Sequence, residues 1–179
     1  SVWLSCDGGD TTLCSGVTRR RHASQEPGLL APVGYGIDAQ REQPVGCSGR
    51  PRLRGEFVTW QQMGAVSESG LVEIAAHTDN NHKGILANPQ GTLEPAATSL
   101  RFDPATGRYE SQAQFDARMR ADVAAISTKL PTVTGKKPRV WVSPYGAPQG
   151  PSLAIIGDPG SQMAPPPQDG LPRLRDRMN

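Results

Sequence analysis

Gly70-Leu71-Val72-Glu73-Ile74-Ala75-Ala76-His77-Thr78-Asp79-Asn80-Asn81-His82 is the stretch on which the fold turns. Leu71 to Ala76 is a short apolar run that begins after a glycine and ends in the turn chemistry of Asp79-Asn80-Asn81. Such a run reads as a buried strand. It is continuously apolar more than alternating, which suits a sheet covered on both faces. Val2 to Cys6, Leu29 to Val33 and Arg139 to Val142 read the same way.

Two helices lie between these strands. Thr59 followed by Gln62 has capping-box spacing, and Gly70 is a natural C-terminal stop. Ser111 followed by Gln114 is a second capping box. After it Phe115, Met119, Val123, Ile126 and Leu130 recur at helical spacing, and Pro131 is expected to end the helix. Strands alternating with helices predict an α/β fold, open or closed into a barrel. Residues 35 to 55 read as a long loop. Residues 147 to 170, with Gly157-Asp158-Pro159-Gly160 and Pro165-Pro166-Pro167, read as irregular. No internal repeat is visible.

The length of 179 residues suffices for one domain with its own core. Glycine (20) and proline (17) together make about a fifth of the chain, so loops are plentiful. A net charge of +2 gives no strong pull toward nucleic acid or an anionic membrane. Cys6, Cys14 and Cys47 are odd in number and lack metal-type spacing, which leaves the redox compartment undecided. No run of about 18 apolar residues is present, so no membrane-spanning helix is expected. No signal peptide is visible. Val2-Trp3-Leu4 already reads as the inside of a strand, and the natural protein is therefore expected to begin further upstream.

Three segments could carry chemistry. His77 and His82 are five residues apart, an odd separation that puts them on opposite faces of a strand and roughly 140° apart on a helix. They can serve one ion only if the strand ends at His77 and the chain turns at Asp79 to Asn81. From spacing alone, two unrelated loop histidines remain the simpler reading. Arg139-Val140-Trp141-Val142-Ser143-Pro144-Tyr145-Gly146 is a strand and a turn. Leu4-Ser5-Cys6-Asp7-Gly8-Gly9 ends a first strand on Asp7, which can be a base, a metal ligand or a turn cap. Each of the three sites would lie at a strand's C-terminal end, where α/β folds place their chemistry.

In order and spacing these segments resemble the NodB-type polysaccharide deacetylases, carbohydrate esterase family four, and in particular the PgaB-like branch acting on poly-N-acetylglucosamine. Leu29-Leu30-Ala31-Pro32-Val33-Gly34, Thr59-Trp60-Gln61-Gln62, Gly70 to Ile74 before His77-Thr78, Gln90-Gly91 and Leu171-Pro172-Arg173 add to the likeness. It covers residues 1 to 146 almost without gaps and then a short patch. The resemblance implies an incomplete or distorted (β/α) barrel over 1–146, an irregular segment over 147–170 and a remnant of the last barrel motif over 171–179. It implies a hydrolase that removes N-acetyl groups from a polysaccharide with a divalent metal, zinc or else nickel or cobalt. It implies a place in the periplasm or cell envelope. Asp7 matches the catalytic base, His77 and His82 match two metal ligands, and Arg139 matches the arginine that orients the base. Tyr145 matches the residue whose backbone N–H holds the oxyanion, and Leu171 matches a residue lining the acetyl pocket.

The chain also departs from the family. Gly8 stands where the family carries a second aspartate that ligates the metal; Asp10 or Asp79 could substitute, but neither matches the motif. Thr18-Arg19-Arg20-Arg21-His22-Ala23-Ser24 cannot bury an apolar helix face and reads as a solvated segment. The general-acid histidine of the branch lies upstream of the first motif and has no counterpart here. The alternative to an enzyme is accordingly a non-catalytic glycan-binding pseudoenzyme or a truncated relic.

Overall fold

A computed structural model of the chain describes residues 4–7, 28–38, 45–47, 50–52, 55, 57–144 and 162–163, with side chains over 28–38, 55 and 57–144. Three apolar segments pair as parallel strands in the order β1 (Leu4–Asp7), β2 (Gly28–Ala31), β5 (Val72–Ile74). Asp7 is in register with Ala31, and Leu30 with Ile74. A parallel bridge between Ala76 and Trp141 brings β10 (Val140–Trp141) alongside the extension of β5. The fold is thus α/β around parallel strands, and their C-terminal ends point the same way.

Both faces of the central strands are covered, as their unbroken apolar runs require. Leu29, Ala31 and Ala75 pack together on one face with Val140 and Val142. On the other, Leu30, Val72, Ile74, Ala76 and Trp141 meet the helices. These are α1 (Gly34–Asp38), α2 (Trp60–Glu68) and α3 (Gln112–Thr134). Phe115, Met119, Val123, Ile126 and Leu130 of α3 are all buried at helical spacing, each worth roughly 1.5–3 kcal/mol relative to exposure. Both capping boxes form: Thr59 with Gln62 opens α2, and Ser111 with Gln114 opens α3. Gly70 follows α2 with φ 71°, a left-handed conformation that costs glycine nothing.

Two expectations need correction, and a third segment contributes a short strand. Pro131 does not end α3, which runs on to Thr134. The missing N–H removes one bond in the last turn. Leu130 and Val133 still pack on the core there, and the Gly135 N–H closes onto the Pro131 carbonyl at 2.9 Å in a left-handed cap, φ 68°. Residues 35 to 55 are not one loop: they hold most of α1 and a hairpin of β3 (Val45–Cys47) and β4 (Arg50–Arg52). With two glycines in five residues α1 has little intrinsic helix propensity; its first N–H groups are instead fixed on carbonyls of a neighbouring turn, as described below. Within 147 to 170 the chain forms β11 (Gln162–Met163), parallel to β10 with Val140 opposite Gln162. Pro159 and Pro165 flank this pair of residues instead of interrupting it, so the ladder can form.

A segment between β5 and α3 carries two short hairpins, β6 (Gly84–Leu86) with β7 (Leu93–Pro95) and β8 (Phe102–Asp103) with β9 (Arg108–Tyr109). Among the described residues no helix is long and apolar enough to cross a membrane.

Candidate functional site

His77 is the residue at which the extension of β5 gives way to a turn, and it is fully buried. Its Nδ1 lies 2.7 Å from the Val142 carbonyl, just past the end of β10. A carbonyl only accepts, so Nδ1 carries the proton and Nε2 is left with its lone pair. Nε2 is buried and has no hydrogen-bond partner. Burial, partly opposed by the Val142 hydrogen bond, lowers the His77 pKa from 6.5 to about 4, so the ring is neutral at physiological pH. His82 is also buried, and the two ring centroids lie 4.9 Å apart. The bend at Asp79 and Asn80 therefore does what five-residue spacing on a regular strand or helix could not.

That turn is held from two sides. From one side, Gly34 N–H donates to the Thr78 carbonyl at 3.1 Å and Tyr35 N–H to the Asp79 carbonyl at 2.7 Å. The approach is close: a Cβ on Gly34 would lie 2.2 Å from Asp79 Oδ1, so only glycine fits there with Asp79 in place. From the other side, Asp122 of α3 accepts from Thr78 Oγ1 at 2.6 Å, Asp79 N at 3.0 Å and Asn80 N at 2.6 Å. Burial raises the Asp122 pKa from the ordinary carboxylate value, although these three donors pull it down. The Asn81 N–H donates to Thr78 Oγ1 at 2.8 Å. Arg118, one helical turn before Asp122, reaches Asn81 Oδ1 at 3.3 Å and the Ala96 carbonyl at 2.8 Å. Sequence reasoning missed Asp122; the signal was a carboxylate set among Met119, Val123 and Ile126 on the buried stripe.

The other expected site residues are placed differently. The backbone of Asp7 ends β1 at the same edge of the sheet, in register with Ala31. It is two strands from β5, roughly 10 Å by ordinary strand spacing. Arg139 is not brought to this edge. It starts β10, its side chain is 82% exposed, and it forms a two-pronged pair with Glu73 at 3.2 and 3.0 Å. Glu73 precedes His77 by four residues, roughly 13 Å of strand. Asp79 is engaged by Lys129 at 2.5 Å, and Lys129 also contacts Asp38. Tyr145, Leu171, Gly8, Asp10 and His22 lie outside the described residues. Among the described residues no group of three or more His, Cys, Asp or Glu side chains is set to hold a metal ion. His77 nevertheless fits a ligand's part in such a site, because its neutral imidazole with a buried, unpartnered Nε2 is in the protonation state a metal requires, and the ring of His82 lies beside it.

No family model matches the chain. Its structure is similar to that of a de-N-acetylase from Aggregatibacter actinomycetemcomitans, with a TM-score of 0.81 and 29% identity over 98% of this chain and 74% of the other. It is also similar to the BpsB deacetylase domain from Bordetella bronchiseptica, with a TM-score of 0.78 and 34% identity over 88% of this chain and 60% of the other. Both of these neighbours are deacetylases by name, and the fold of the chain is similar to theirs over most of its length. In sequence the chain is similar to a poly-β-1,6-N-acetyl-D-glucosamine N-deacetylase: it is 34% identical to the Escherichia coli (strain K12) protein of that name over 91% of its own length. It spans 24% of the length of that relative.

Proposed function

We propose that the chain contributes to a metal-dependent N-deacetylase acting on a poly-N-acetylglucosamine-type polysaccharide. The observation that carries this reading is the buried, unpartnered Nε2 of His77, 4.9 Å ring to ring from His82, at the carboxyl edge of a parallel sheet. The homologue's name supplies the polymer class. In this reading the sheet is part of a distorted (β/α) barrel, and the protein works in the periplasm or cell envelope. His77 and His82 would hold the cation, zinc or else nickel or cobalt. When bound, such a cation supplies Lewis-acid polarisation of the amide carbonyl and a nucleophile at neutral pH. Asp7 takes the proton of the attacking water. The Tyr145 N–H holds the oxyanion and Leu171 lines the acetyl pocket. The role implied for Arg139 is not carried forward, since its guanidinium is engaged by Glu73.

A second reading, a non-catalytic glycan-binding relic, is favoured by one feature, Gly8. It removes a carboxylate that would offset the cation's charge and complete its coordination. Losing a ligand should cost more than the 10–100-fold typical of an outer-shell change. The deciding measurement is acetate release from a β-1,6-linked N-acetylglucosamine oligomer with added zinc, nickel or cobalt. Weak, metal-dependent release that vanishes in His77→Ala and rises in Gly8→Asp supports the enzyme. Release without metal dependence would overturn the site, and no release from either the parent or Gly8→Asp would favour the relic.

A further inference from the structure

We infer that Asp122 is a positioning residue: it clamps the turn between His77 and His82 and so sets the geometry in which the two imidazoles meet one cation. This rests on the two-histidine reading of the site and adds a residue from an element that carries no ligand.

The argument begins with donors. A turn that follows a buried strand exposes N–H groups that have no ladder partner, and a buried N–H must find one. Here the N–H groups of Asp79 and Asn80 both end on the Asp122 carboxylate, at 3.0 and 2.6 Å. The third donor is a hydroxyl. Thr78 Oγ1 already accepts from Asn81 N–H at 2.8 Å, so its one proton is free to go to Asp122 Oδ2, 2.6 Å away. Asp122 thus receives three donors on two oxygens, both of which a carboxyl offers as acceptors and only one of which an amide can. One group ties together Thr78, Asp79 and Asn80, three of the four residues between the histidines.

The clamp is anchored to something rigid. Asp122 sits in the middle of α3, flanked by Met119, Val123 and Ile126, all buried in the main core. Arg118 on the preceding turn of the same helix face grips Asn81. Between them these two side chains reach all four intervening residues. The turn can then hold neither the helical nor the strand angle between the histidines, but only the bend that brings their rings to 4.9 Å. Two ligands held at a fixed separation bind an ion more tightly than two that must be ordered on binding.

Asp122→Asn tests this with little change in size. An amide keeps one acceptor oxygen and puts an NH2 donor in place of the other, facing the donors of the turn. The first readout is zinc affinity, by competition with a chromogenic chelator. The second, in metal-free protein, is amide hydrogen exchange at Asp79 and Asn80. The clamp predicts zinc binding about 10–100-fold weaker and exchange at these two amides about tenfold faster or more. Ser111→Ala is the control: it weakens the start of α3 without touching the turn, and a loss of stability alone should leave zinc affinity unchanged. If Asp122→Asn does not fold, Thr78→Val removes one donor and one acceptor from the same network and is judged by the same two readouts. Unchanged zinc affinity in a folded variant, or retained protection at both amides, overturns the clamp. A parent that takes up no zinc overturns the metal reading instead, and the exchange rates alone then decide whether Asp122 holds the turn.

Discussion

At the scale of single residues, the site is governed by how burial handles charge. His77 is kept neutral because water cannot reach it, and its one proton is spent on the Val142 carbonyl. That has a consequence for stability. The unfolded ring titrates near 6.5 and the folded ring near 4, so between those values the unfolded state binds more protons. The contribution is fully present above pH 6.5 and is lost as pH falls through about 4. In metal-free protein, the parent should therefore lose about 3 kcal/mol relative to His77→Gln between pH 7 and pH 4. Urea unfolding midpoints across that range measure it. Parallel curves for the two proteins would mean that His77 is solvated and free to charge. Asp122 is the counterpart, a carboxylate that burial pushes toward its neutral form and that three donors on the turn pull back.

At the scale of elements, local signals were legible and tertiary ones were not. Thr59 with Gln62 and Ser111 with Gln114 are satisfied within one helical turn, so their sequence spacing was enough to find both helix starts. Pro131 misled because its cost is local while the packing of Leu130 and Val133 that outweighs it is not. The α1 helix was read as loop because the acceptors of its first N–H groups, the Thr78 and Asp79 carbonyls, lie more than 40 residues away. The histidine pair was visible in sequence, but not the carboxylate that shapes its turn. Asp122 looked like one charge on a helix until Thr78 to Asn80 were placed beside it. Arg139 shows the same dependence on tertiary neighbours: its pairing with Glu73 follows from β5 and β10 lying side by side, which no motif states. The true end of α3 offers a test at this scale. Gly135 holds φ 68° with nothing within 4 Å of where a Cβ would stand, so Gly135→Ala meets only a backbone penalty. It should cost about 1 kcal/mol in thermal unfolding, with zinc affinity unchanged. A neutral result would mean that the helix stops at Pro131 after all and Gly135 is unconstrained.

At the scale of the whole molecule, the candidate site is assembled from segments far apart in the chain. His77 and His82 follow β5, the Val142 carbonyl follows β10, and Asp7 ends β1 two strands away. Folding brings these groups together, and the unfolded chain has no such arrangement. A cation held by His77 and His82 would therefore favour the folded state by mass action: at a free concentration 100 times Kd the gain is about 2.7 kcal/mol. For a chain of this size, that corresponds to a rise in Tm of roughly 5–10 °C. Zinc should raise the Tm of the parent and raise that of Gly8→Asp at lower concentration, because a third ligand at the end of β1 would tighten the site. It should leave the double variant His77→Ala/His82→Ala unmoved. Differential scanning fluorimetry across a zinc titration separates these cases, with calcium as a hard, oxygen-preferring control that two imidazoles should not bind. An equal shift in the double variant would place the zinc elsewhere on the chain, on the cysteines for instance. A parent shift without any gain in Gly8→Asp would show that position 8 does not face the histidines and that the cation's remaining ligands come from another segment.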